Sequence, residues 1–75
     1  MTILLETGFG IGDVVCHRTD TNHEEKFIVL AYYIMAVNES GETTMYNVDC
    51  SNGDGTMKSF RPYELTLIEK VNENK

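Results

Sequence analysis

The sequence predicts a small all-β domain of five strands, and three observations carry that expectation. Turn-forming residues cut the chain into short segments, most sharply at Asn52-Gly53-Asp54-Gly55, where Asn-Gly and Asp-Gly stand in tandem. The segments between the turns are rich in β-branched and aromatic residues. The whole chain has 75 residues, enough for one core and not for two.

Each element follows in order. Gly8-Phe9-Gly10-Ile11-Gly12-Asp13 is a glycine-dense lead-in. Val14 to Arg18 reads as a short first strand, and Thr19 to Glu25 is wholly polar and reads as a loop. Phe27 to Val37 is an unbroken apolar run of eleven residues, open to two readings. As a helix it would use Asn22 as cap with Glu25 three residues on, a partial capping box. Against that, seven of the eleven (Phe27, Ile28, Val29, Tyr32, Tyr33, Ile34, Val37) are aromatic or β-branched. A helix apolar all round would also need burial on every side, which so short a chain cannot supply. The run is therefore read as a long bent strand. Its faces are Phe27, Val29, Ala31, Tyr33, Met35, Val37 and Ile28, Leu30, Tyr32, Ile34, Ala36. Both are apolar, although an antiparallel sheet normally keeps one face wet. Either the strand bends from one sheet into another, or one face meets a partner.

Asn38 to Glu42 is a turn, and Thr43 to Cys50 a third strand of loose alternation. The tandem turn leads to a short strand over Thr56 to Phe60. Arg61-Pro62-Tyr63-Glu64 is a corner, a single 3-10 turn, because Pro62 fixes its own φ and cannot donate to a ladder. Leu65 to Lys70 is the last strand. The expected organisation is one domain over 1–75, with its folded body at about 9–70 and flexible ends at 1–8 and 71–75.

Charge limits the partners. Twelve acidic residues against six basic give a formal net charge of −6. That sign repels a phosphate backbone, so direct nucleic-acid binding is not expected. No apolar run is long enough to span a membrane. Ile3-Leu4-Leu5 has no basic stretch before it and no small-residue cleavage site after it, so a cytoplasmic location is expected. There Cys16 and Cys50 read as small core hydrophobes, with their pairing left open.

The layout is strand, long loop, long strand, hairpin, strand, tight hairpin, short strand, corner, strand. It resembles SH3-like barrels of the KOW and Tudor type. The residues that carry the resemblance are Gly12-Asp13-Val14-Val15, Tyr46-Asn47-Val48, Asn52-Gly53-Asp54-Gly55 and Phe60-Arg61-Pro62-Tyr63-Glu64-Leu65. The resemblance covers about residues 9–69. It implies a five-stranded SH3-like barrel with a short 3-10 corner before the last strand, and it implies no single function. Tudor-like modules read methylated side chains in an aromatic cage. Here Tyr32 and Tyr33 are adjacent and point to opposite faces of a strand, so core packing is the plainer reading of the aromatics. KOW-like modules that touch RNA are usually basic, and this chain is acidic. SH3 domains dock proline-rich peptides beside a tryptophan, which this chain lacks.

Signs of chemistry are few. Gly8-Phe9-Gly10-Ile11-Gly12 lacks the preceding strand and the following helix of a dinucleotide fingerprint. Asp49 to Gly55 fails as a calcium loop in either register, since the first position falls on Cys50 or Val48. Cys16, His17, His23 and Cys50 lack the short paired spacing of a zinc site. A nucleophilic cysteine would need a histidine base and a walled pocket, for which the chain offers little material. No catalytic residue, metal or cofactor is expected.

The reading is a non-catalytic protein–protein interaction module, an adaptor or modulator of a larger partner that carries a basic patch. Its docking surface is expected at Tyr32, Tyr33, Tyr46, Phe60, Arg61 and Tyr63, because Tyr and Arg are enriched in binding hot spots. The alternatives are an oligomeric small-ligand binder, with homo-oligomerisation covering the second apolar face, or an acidic inhibitor of a host nucleic-acid enzyme encoded by a mobile element.

Overall fold

A computed structural model describes residues 2–71. It contains β1 (Val14–His17), β2 (Phe27–Val37), β3 (Thr43–Ser51), β4 (Met57–Phe60), a 3-10 turn (Pro62–Glu64) and β5 (Leu65–Glu69). The apolar run is thus a strand over its whole length, as its β-branched and aromatic content demands. The five strands form one antiparallel sheet in the order β4-β3-β2-β1-β5. The expected barrel is not closed: β4 and β5 are the two edges, and no ladder joins them among the described residues. The reason lies in length. The four residues of β4 are taken up by pairing with Val48–Ser51, and the Pro62 turn then sends the chain to the far side of β1. The sheet curls nonetheless. Phe60, at the end of β4, meets the Phe27 ring edge-on at 5.2 Å and the His17 ring at 6.1 Å.

Val15, Phe27, Val29, Val48, Cys50 and Leu65 form the core inside that curl, with Phe9, Tyr32, Tyr46 and Phe60 packed against it. Strand β2 reaches this core in two steps. Val29 pairs with Cys50, but the next pair is Ala31 with Asp49, so β2 carries an extra residue at a bulge. The bulge reverses the alternation. Phe27 and Val29 face inward before it, and Tyr32, paired with buried Val48, faces inward after it. The simple two-face assignment of β2 is therefore corrected: Ala31 and Tyr33 are not on the Phe27 face, and the register shifts again beyond Ile34. Tyr33 lies on the outer side at 62% exposure.

Asp13 ties the two ends of the domain to its centre. Its side chain is only 1% exposed. The Gly10 amide donates to Oδ2 at 2.7 Å, the Val71 amide to Oδ1 at 3.1 Å, and Lys70 Nζ to Oδ2 at 3.1 Å. Its backbone adds a bond from Val29 N–H to the Asp13 carbonyl. Burial alone would push the carboxyl pKa up. The two amides and the Lys70 ammonium outweigh it and hold the pKa below its ordinary value of 3.8.

The N-terminal arm, expected as a flexible end over 1–8, is anchored at one point. Leu4 N–H donates to the Gly41 carbonyl at 2.7 Å, and Thr43 N–H donates to the Leu4 carbonyl at 2.8 Å. Gly41 permits this approach, because it has φ of +88° and a Cβ there would run into the Thr2 carbonyl oxygen. At the other end of the chain, Val71 is held by Asp13, and 72–75 lie outside the described residues.

Candidate functional site

The corner after β4 builds a cleft. Pro62 starts the 3-10 turn, which throws Tyr63 outward at 70% exposure and lays Arg61 and Pro62 against β3. The cleft has a volume of about 200 Å³ and is lined by Thr44, Met45, Tyr46, Arg61, Pro62 and Tyr63. Arg61 has no carboxylate partner among the described residues, so its five guanidinium donors are available to a ligand. A rigid aromatic wall beside an unengaged guanidinium is the composition of a binding hot spot.

Tyr46, Arg61 and Tyr63, three of the six expected docking residues, meet here. The other three have different places. Tyr32 is engaged internally: its hydroxyl donates to the Phe9 carbonyl, and its ring stands edge-on to Tyr46 at 6.2 Å. Burial pushes the Tyr32 phenol pKa up, and the neighbouring Asp13 and Tyr46 add to the rise. It supports the Tyr46 wall from behind. Phe60 packs into the core through Phe27 and His17. Tyr33 is exposed on the opposite side of the sheet from Tyr32. Within this set, then, the rings do not assemble a cage open to solvent.

A second cleft, of about 290 Å³, adjoins the first. It is lined by Leu4, Glu6, Glu42, Thr43 and Thr44, so the two share Thr44. Sequence reasoning missed this one. It exists only because Leu4 bridges Glu42, a contact across 38 positions that no local pattern announces. Met45 and Pro62 were missed as lining residues too, although Pro62 was legible as the corner itself.

Among the described residues no three His, Cys, Asp or Glu side chains converge as a metal would require. Cys16 and Cys50 are unpaired and buried. Burial raises both thiol pKa values, helped by the carboxylates of Asp20 and Asp49 respectively, with Cys50 pushed up to about 11. His17 spends Nδ1 on the Thr19 hydroxyl at 2.8 Å. Both thiols are therefore expected to resist a disulfide exchange reagent at pH 8 in the folded protein and to react fully in denaturant. Fast labelling of either cysteine without denaturant would contradict this account of their burial.

Comparison of the chain with protein-family models, with curated proteins and with solved structures finds no match.

Proposed function

We propose that the chain is a non-catalytic interaction module, an adaptor or modulator that docks on a larger protein through the Tyr46–Arg61–Tyr63 cleft. The observation that carries this reading is the convergence, on one corner, of two tyrosines and an arginine that has no carboxylate partner among the described residues. Acidic residues outnumber basic ones two to one, so approach is steered towards a basic patch on the partner. The strand order, with β1 flanked by β5 and β2, and the 3-10 turn before β5 support an SH3-like reading of the fold. Free buried thiols accord with a reducing, cytoplasmic setting.

Quantitative affinity capture with the wild-type chain, Tyr63→Ala and Arg61→Ala tests this. Tyr63 is exposed, and Arg61 is half-buried with no side-chain bonding partner among the described residues, so both variants are expected to keep the wild-type circular dichroism and melting temperature. Each is expected to weaken partner capture by at least tenfold, the range of a hot-spot truncation. Undiminished capture by both variants would rule the cleft out as the docking site.

One observation favours a second reading, self-association with a ligand held between copies. Ile28 and Leu30 before the bulge, Tyr33 and Met35 after it, and Met45 on β3 are all exposed. Light scattering that shows a monomer at high concentration removes this second reading and leaves the first untouched.

A further inference from the structure

We propose that the free edge of β3 between the two clefts binds an extended peptide that carries a lysine or arginine two or four residues from an apolar side chain. The inference rests on the docking reading above and names the partner's chemistry.

The edge is defined by what stops on either side of it. β4 pairs with β3 only over Val48–Ser51. Among the described residues Leu4 bonds to Gly41 and Thr43, so it reaches β3 only at its first residue. Thr43 is already paired with Val37 of β2, so the bond from its N–H to Leu4 lies on the side away from β2. Over 44–47 no strand lies on that side among the described residues. Alternate residues of a strand turn their N–H and C=O to the same side, so two of these four offer unpaired groups there, a template for a short further strand. Leu4 already shows the mode in miniature, as one extended residue added to the same edge.

The two clefts give such a strand its side-chain preferences. They meet at Thr44 and so form one groove with different ends. Glu6 and Glu42 line one end, an acidic seat for a cationic side chain. Met45, Tyr46, Pro62 and Tyr63 line the other, an apolar seat with Arg61 at its rim. Four extended residues span roughly 13 Å, and only alternate side chains share a face. That fixes the even spacing between the basic and the apolar residue. A folded basic surface would satisfy the acidic end but could not enter an edge only four residues long, so a flexible segment is the occupant that fits.

The test uses the full chain. Peptides of about ten residues are selected from a random display library, and the selected sequences are titrated into the 15N-labelled protein. Expected are binders with the basic–apolar spacing above and amide shifts concentrated on Thr44, Met45, Tyr46 and Asn47. Affinity should fall at least tenfold in the double variant Glu6→Gln, Glu42→Gln, which keeps side-chain shape and the acceptor for Asn38. Binders that lose affinity in Tyr63→Ala but not in the double glutamine variant, or that leave the 44–47 amides unmoved, overturn this proposal while the docking cleft stands. Binders indifferent to Tyr63→Ala, or a library that yields none, overturn this proposal, and the affinity capture described above then decides the docking cleft by itself.

Discussion

Asp13→Ala is expected to lower the unfolding free energy by about 3 kcal/mol, a large part of the roughly 4–11 kcal/mol available to a domain of this length. The loss comes from the backbone. With the carboxylate gone, the half-buried Gly10 amide keeps no acceptor beside the core, and the Val71 amide, on an exposed residue, loses the bond that fastens the chain after β5. Lys70 contributes little to the loss, because its side chain is 47% exposed and can return to water. Asp13→Asn, which keeps the shape and one oxygen acceptor, is expected to cost about half as much. Acid adds an independent reading. The folded carboxyl pKa lies below its ordinary value of 3.8, so the folded state holds the ionised form more tightly than the unfolded chain does. The stabilisation is complete above about pH 4, declines as pH falls through the folded pKa, and is absent below both values. Asp20, which accepts from the Glu24 and Glu25 amides, adds a dependence of the same sign. The comparison of wild type with Asp13→Asn isolates the Asp13 part: the wild-type stability should fall more steeply below pH 4. Urea unfolding at pH 7 and pH 3 measures both effects. Equal slopes in the two proteins, or an alanine variant within 0.5 kcal/mol of wild type, would remove Asp13 from its role.

That role shows where sequence reading reached and where it stopped. Gly12-Asp13-Val14-Val15 is legible as the entry to the first strand, because glycine and aspartate favour the turn and the valines the strand. Nothing local says that the aspartate turns inward to residues 57 and 58 positions away. The bounds of β2 were legible to the residue, since polar segments flank an uninterrupted apolar run. Its bulge was not. Leu30 and Ala31 carry no glycine or other mark, and the extra residue exists only relative to Cys50 and Asp49 on the neighbouring strand. The same limit divides the candidate site. Arg61 and Tyr63 were legible together because they flank a proline whose corner geometry is local, whereas Tyr46 reaches them from β3 only in the assembled sheet. Tyr33 and Phe60 fall away from that corner because their faces depend on register and on curl, both set by the assembled sheet.

The largest single loss is expected at Phe27, where truncation to alanine should cost about 4 kcal/mol and leave the domain at the margin of folding. Its side chain is 2% exposed and stands beside Val15 across the β1–β2 pair. It meets Phe60 edge-on, and Lys58 Nζ lies over its ring at 5.8 Å. The ring joins the β4 end of the curl to β1, so its loss opens a cavity between them. Phe27→Leu, which keeps most of the volume, should recover more than half of the loss and so separates cavity formation from a general failure to fold. The same measurement tests the bulge. In an unbroken alternation Tyr33 would share the Phe27 face, and Tyr33→Ala would be costly. With the bulge at Leu30–Ala31, Tyr32 takes that place and Tyr33 faces solvent. Tyr32→Ala should then cost about 3 kcal/mol and Tyr33→Ala less than about 0.5 kcal/mol. The reverse order would move the bulge, return Tyr33 to the Tyr46 side of the sheet, and reopen which tyrosines stand at the docking corner.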